Sequence, residues 1–145
     1  TIVLALQNIE DFSDALIEAA RVLKPEGQLF IVLNHPAFRV PKNSSWQWDE
    51  NEAKQYRRID AYMSEAKNEI DMNPGAKSTA KKKFTVSFHR PLQSYFKALG
   101  KAGFSVVRLE EWVSNKKSNN GPRGAEEDRM RHEIPMFLCL EAVKI

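Results

Sequence analysis

The chain has 145 residues, 42% of them hydrophobic and 28% charged, with a formal net charge of +3. That is the size and composition of one globular domain, which excludes a disordered polymer or a coiled coil. The mildly basic balance permits a nucleic-acid or other acidic partner without arguing for one.

The apolar runs fall far short of the ~20 residues that would span a bilayer. No basic-flanked leader with a small-residue cleavage site is visible. The single cysteine, Cys139, leaves no internal disulfide and fits a reducing, cytoplasmic compartment. It sits in Met136-Phe137-Leu138-Cys139-Leu140, where a buried thiol is a better reading than a reactive one.

Thr1 leads directly into Ile2-Val3-Leu4-Ala5-Leu6, an apolar run that predicts a strand over 2–6 buried on both faces, as in a parallel sheet. Domains seldom open inside a core strand, so an upstream segment is expected. Gln7 and Asn8 end the run. Asn8 or Asp11 can cap a helix over 11–23, whose apolar stripe is Phe12, Ala15, Leu16, Ala19, Val22 and Leu23. Lys24-Pro25-Glu26-Gly27 predicts a type I turn, with Pro second and Gly fourth. Leu29-Phe30-Ile31-Val32-Leu33 is a second buried strand. Strand, amphipathic helix, tight turn and strand make a βαβ unit, whose crossover is right-handed by rule.

A polar exit follows in Asn34-His35-Pro36-Ala37-Phe38-Arg39-Val40-Pro41. Ligands of open parallel sheets sit at the carboxyl ends of strands, and both Gln7-Asn8 and Asn34-His35 end there. Residues 42–88 differ in texture and read as an insertion or lid over those ends. Within them a helix is expected over 49–63, with Tyr56, Ile59, Tyr62 and Met63 on one face. A hairpin is expected between about 66–72 and 82–88, with Asn73-Pro74-Gly75 as a turn signal. Arg90-Pro91 opens another helix, striped by Leu92, Tyr95, Phe96, Leu99 and Ala102 and ended by Gly103 in the left-handed conformation. Residues 104–109 form a strand, 114–133 a polar loop with a short helix at 125–132, and 134–145 the last strand.

A doubly wound sheet that binds a nucleotide-type cofactor needs a glycine-rich turn between a buried strand and a helix. None of the six glycines (Gly27, Gly75, Gly100, Gly103, Gly121, Gly124) stands in such a place. Three blocks nonetheless resemble class I S-adenosylmethionine-dependent methyltransferases. The run VLALQNIEDFSDALIEAARVLKPEGQLFIVLNHPAFRVP is similar to that family's fourth strand, helix, xxLKPGGxL turn and fifth strand, with Glu26 at the first glycine position. FHRPLQSYFKALGKAGFSVVRLEEW resembles the last helix and sixth strand, and EIPMFLCLEAVK the antiparallel seventh.

The resemblance implies a partial Rossmann-like α/β fold: strands four to seven of a seven-stranded sheet, with three β-α units, roughly 90 residues at about 30 each, lying upstream. Those units would carry the glycine-rich loop and the acid that holds the cofactor ribose, which no residue here matches. It further implies S-adenosylmethionine as cofactor, with Leu6, Gln7 and Asn8 beside its methionine part. Asn34, His35 and Pro36 would face the acceptor. His89 and Arg90 are further candidates for acceptor contact, although a structural role is the better reading for His89.

Methyl transfer is an in-line displacement that gains much of its rate from holding donor and acceptor together, so a dedicated base is optional. His35 is the candidate base, its alternative role being to orient a loop by hydrogen bonding. Three scattered histidines and one cysteine show no metal-ligand spacing. Lys77, Lys81, Lys82 and Lys83 with Trp46, Trp48 and Tyr56 make an RNA surface conceivable; a solvated hairpin edge explains the lysines as well. The expected acceptor is therefore a small or otherwise soluble molecule, methylated by the parent protein and not by this fragment alone. RNA methylation and a non-catalytic binding or assembly module are the alternatives. If the fourth strand lacks its neighbour, the apolar edge at 2–6 is expected to self-associate.

Overall fold

The computed structural model describes residues 1–73 and 82–145. Lys77, Lys81 and most of the Asn73-Pro74-Gly75 turn signal lie outside them. The elements run β1 (Ile2–Val3), α1 (Phe12–Val22), β2 (Gln28–Asn34), β3 (Ser44–Asp49), β4 (Lys54–Ile59), β5 (Ala66–Asp71), β6 (Phe84–His89), α2 (Leu92–Lys101), β7 (Phe104–Trp112), α3 (Gly124–Glu133) and β8 (Phe137–Lys144).

The main sheet has the order β1-β2-β8-β7. β1 and β2 are parallel, and β8 runs antiparallel to both β2 and β7. This is the mixed α/β architecture and the strand polarity expected from the sequence. Leu29, Ile31 and Leu33 of β2 alternate with half-buried neighbours, as do Leu138, Leu140 and Ala142 of β8. These six join Leu16 and Ala20 of α1 and Tyr95, Ala98 and Leu99 of α2 in one core. The two helices therefore lie on one face of the sheet, with Phe12 edge-on to Tyr95 at 5.4 Å. Cys139, next in register to that core, is half-buried rather than buried.

Several local expectations need correction. The first strand is only two residues long. Leu4 takes a left-handed backbone (φ 52°), and Leu6–Asn8 forms a short 3-10 turn. Val3 and Leu4 are 60% and 43% exposed, so the run is not buried on both faces; β1 lies at the sheet edge with β2 as its neighbour. Asp11 occupies the N-cap position of α1 but makes no capping side-chain hydrogen bond.

The turn after α1 closes as expected, Gly27 N–H donating to Lys24 O at 2.9 Å. Glu26, however, has φ 62°, which belongs to a type II turn and not to type I. Glycine suits such a position, which gives the physical reason for the glycine at this place in the resembling turn. Gly103 at φ 85° ends α2 as expected.

The helix expected over 49–63 is a β-hairpin. β3 pairs antiparallel with β4, Trp46 opposite Arg57 and Gln47 opposite Tyr56. Tyr56, Ile59 and Tyr62 do fall at helical spacing, but in β4 Tyr56 and Ile59 lie on opposite faces, and Gln55 and Arg57 share the half-buried side with Ile59. The Arg57 guanidinium lies 4.6 Å over the Trp46 ring, and Asp49 Oδ1 accepts from the N–H groups of Asn51 and Glu52 to tighten the turn. The second hairpin, β5 with β6, forms as expected, with Ala66 opposite His89 and Asp71 opposite Phe84. The last strand starts three residues later than expected, at Phe137. Among the described residues no helix is long and apolar enough to cross a membrane.

Candidate functional site

The carboxyl ends of β1 and β2 are joined by a side chain acting as backbone. Once β1 has stopped, the Gln7 carboxamide pairs with the Asn34 peptide at two points: Oε1 accepts from Asn34 N–H at 2.9 Å, and Nε2 donates to Asn34 O at 3.0 Å. An amide presents a donor and an acceptor side by side, so a buried Gln7 continues the ladder that the main chain has left. Asn8 Nδ2 donates to Val86 O at 2.7 Å and ties the same corner to β6.

His35 follows directly and is buried. Its Nδ1 accepts from Ala37 N–H at 3.2 Å, which leaves the proton on Nε2, 2.9 Å from Glu111 Oε1 on β7. Both ring nitrogens thus have partners. That geometry favours the orienting role over the base: the ring anchors the start of the 35–41 loop to β7.

His89 and Arg90 are also buried, and they do not reach this corner. His89 Nε2 donates to Tyr62 O at 2.8 Å, while Tyr62 Oη accepts from Leu92 N–H at 3.0 Å, fastening the start of α2. Arg90 Nη2 donates to the carbonyls of Ile9 (3.1 Å) and Glu10 (2.6 Å), and its guanidinium lies over the rings of Phe12 and Phe88. The two line a separate shallow cavity with Glu10, Glu65 and Lys67. Tyr95 stands close by, its hydroxyl without a hydrogen-bond partner among the described residues; burial raises its pKa, opposed by Arg90 and Gln7.

Two adjoining cavities open at the strand ends and share Asn34, Ile70 and Ser87. The inner one, about 320 Å³, is lined by Asn8, Asn34, Ile70, Met72, Thr85 and Ser87, so the β5–β6 hairpin forms its wall. The outer one, about 270 Å³, adds Arg39, Val40, Pro41, Lys42, Ser44 and Arg57. Arg57 is fixed there: Nε donates to Phe38 O and Nη2 to Ser44 Oγ, both at 2.8 Å. Arg39 rests with its guanidinium 5.2 Å from the Phe137 ring centre. Burial lowers the pKa of both arginines, and the Arg39 charge lowers that of Arg57 further.

Sequence reading missed this pair because the two arginines lie on different elements. A usable signal was present: the chain has no acid between Glu26 and Asp49, a stretch that carries Arg39 and Lys42 through the mouth of β2. Pro36 is fully buried beside His35 and acts as packing. Among the described residues no group of three or more His, Cys, Asp or Glu could hold a metal.

The residues present fit part of a sulfonium methyl donor. The carboxamides of Asn8 and Asn34 line one cavity, and neutral oxygens can lie against a cationic methyl group without an ion pair. Gln7 has both ends of its amide engaged, so its side chain supports the site from behind. No glycine among the described residues stands between a buried strand and a helix to cradle the rest of the donor.

No protein-family model matches the chain, and no curated protein matches it in sequence. Solved structures do. A protein from Listeria monocytogenes assigned as an S-adenosylmethionine-dependent methyltransferase is 24% identical, with a TM-score of 0.71 over 99% of this chain and 59% of its own. An S-adenosylmethionine-dependent methyltransferase from Mesorhizobium loti gives the same identity and TM-score over 98% of this chain and 59% of its own. The glycopeptide N-methyltransferase MtfA, solved with S-adenosyl-L-homocysteine, is 14% identical with a TM-score of 0.51, over 99% of this chain and 53% of its own. The likeness shows the fold: this chain has the fold of part of a class I S-adenosylmethionine-dependent methyltransferase domain. It spans about 59% of the length of the first two structures.

Proposed function

We propose that this chain forms the acceptor side of an S-adenosylmethionine-dependent methyltransferase that acts on a small, soluble molecule. The observation that carries the reading is the corner at the ends of β1 and β2: within this fold, Gln7 fixes the Asn34 peptide beside a cavity walled by the β5–β6 hairpin.

The cofactor, when bound, supplies the methyl group. Leu6, Gln7 and Asn8 would lie against it; Asn34, held by Gln7, would face the acceptor, and His35 would hold the loop that shapes the acceptor cavity. These residues act by position, which can supply a large share of the acceleration of a displacement reaction. The cofactor's remaining contacts would come from residues outside this chain.

Two features weigh against RNA as acceptor. Trp46 and Trp48 each have a face taken by an arginine of the chain, Arg57 at 4.6 Å and Arg123 at 4.3 Å, where a base would have to stack. The cations of the polar loop are largely paired internally, Arg131 with Glu127 and Asp128, and Arg123 with Glu50.

Calorimetric titration of S-adenosylmethionine tests the reading. The 145 residues alone are expected to show no micromolar binding, and a form extended by the upstream coding sequence is expected to show it. Micromolar binding by the 145 residues would overturn the assignment of the main cofactor contacts to other segments. No binding by the extended form would overturn the methyltransferase reading itself.

A further inference from the structure

We infer that the acceptor carries an oxyanion, a carboxylate or a phosphate, which Arg39 and Arg57 receive in the outer cavity while the methyl-accepting part reaches toward Asn34 and Asn8. This deepens the function proposed above and rests on it.

Among the described residues the outer cavity is lined by three cations, Arg39, Lys42 and Arg57, and by no carboxylate. That is unusual for this molecule. Arg21, Arg58, Arg108, Arg123, Arg129 and Arg131 each pair with an acid within 4.0 Å. Among the described residues no acid pairs with Arg39, Lys42 or Arg57, and the segment 74–81 contains no acid that could. Two half-buried guanidinium groups that feel each other's charge carry a repulsion that a bound anion would relieve.

Their preparation differs in a way that suits capture. Arg57 is immobilised by Phe38 O, Ser44 Oγ and the Trp46 ring, so little order is lost when an anion arrives. The Arg39 side chain makes no hydrogen bond within the described residues and can turn its planar fork toward two oxygens at once. Lys42 is exposed at the rim, where a point charge draws an anion in from solution. Because Asn34, Ile70 and Ser87 line both cavities, an acceptor held by its anionic end lies along a continuous path to the strand-end corner. Anchoring at one end and reaction at the other is how binding energy remote from the chemistry orients a substrate.

The experiment titrates sodium phosphate, and separately sodium succinate, into the 145-residue chain at constant ionic strength set with sodium chloride, by calorimetry and without any methyl donor. Binding of at least one anion is expected, and the preferred one identifies the oxyanion. Arg39→Gln should weaken binding at least tenfold, Arg39→Lys less, and Lys116→Gln, a cation in the distant polar loop, not at all. Arg39 carries the test because its side chain makes no hydrogen bond among the described residues, whereas Arg57→Gln removes two internal hydrogen bonds and is read only where its circular dichroism matches the parent. Failure of both anions to bind, or wild-type binding by Arg39→Gln, overturns the inference. So does a mixed-sequence RNA that binds more tightly than either anion with a steep salt dependence, which would move the acceptor to nucleic acid. Anion binding is read without S-adenosylmethionine, so its failure would leave the cofactor titration standing, and the reverse holds too.

Discussion

Replacing Gln7 by leucine removes both hydrogen bonds to the Asn34 peptide while keeping an apolar side chain of similar size. Each lost bond is worth about 1 kcal/mol net, and stranding a buried donor or acceptor costs about 1–3 kcal/mol. Gln7 is only 7% exposed, but Asn34 is half-buried, so water can recover part of the loss on that side. The expected destabilisation is therefore about 2–3 kcal/mol, a large part of the roughly 5–15 kcal/mol that holds a typical domain together. Urea denaturation should show a lower midpoint with an unchanged slope. Gln7→Glu sharpens the test. An ionised carboxylate can accept from Asn34 N–H but repels Asn34 O, whereas a protonated one restores both bonds. The folded state would then hold the proton of the introduced carboxyl more tightly than the unfolded state, where its pKa is about 4.3. Stability from that proton is fully present below the unfolded pKa and is lost as pH rises through the folded one. The deficit of Gln7→Glu against the parent should shrink on acidification, while that of Gln7→Leu should not. A loss below about 0.5 kcal/mol for Gln7→Leu, against the 1 kcal/mol expected of a single bond, would refute the brace.

Glu26→Gly should raise stability by about 0.5–1 kcal/mol, because a left-handed backbone costs an L-residue roughly 1–2 kcal/mol and glycine's greater unfolded-state freedom takes back part of the gain; thermal melts would measure it, and a loss would refute the strain at that turn. The Cys139 thiol has its pKa raised, first by burial and then by Glu110, so it stays protonated to higher pH than an ordinary cysteine. Thiol labelling at pH 8 should be slow in buffer and fast in urea, with its rate rising at higher pH than for a free thiol. The stability linked to that proton is full below the unfolded pKa and is lost as pH rises through the folded one. Labelling in buffer as fast as that of a free thiol would contradict this.

The βαβ unit was legible because its signals are local. Leu29 to Leu33 are apolar without interruption, Phe12 to Leu23 keep helical spacing, and Pro25 with Gly27 marks the turn between them. The hairpin at 44–59 was not legible, since Tyr56 and Ile59 share a helical face, whereas the half-buried side of β4 carries Gln55 and Arg57 beside Ile59 and so shows no apolar alternation. The contact of Arg57 with Trp46 spans the turn. The site shows the same limit. That Gln7 and Asn34 sit at strand ends could be read from the run lengths, but the bond between them joins residues 27 positions apart. Glu111 could not be tied to His35 from sequence because 76 residues separate them. Arg39 and Arg57 become a pair only after the β3–β4 hairpin has folded against the 35–41 loop.

The antiparallel strand β8 has a consequence for the order in which the molecule can be made. It lies between β2 and β7, pairing Leu33 with Leu138 on one side and Leu109 with Leu140 on the other. Both neighbours are synthesised first and have no partner in common until β8 leaves the ribosome. Until then the edges of β2 and β7 that β8 will join stay open, and Leu138, Leu140 and Ala142 are missing from the core. The sheet therefore closes as a late event, after translation has passed residue 144. A nascent chain arrested before Phe137 would leave the facing edges of β2 and β7 unpaired, and a chaperone could recognise them.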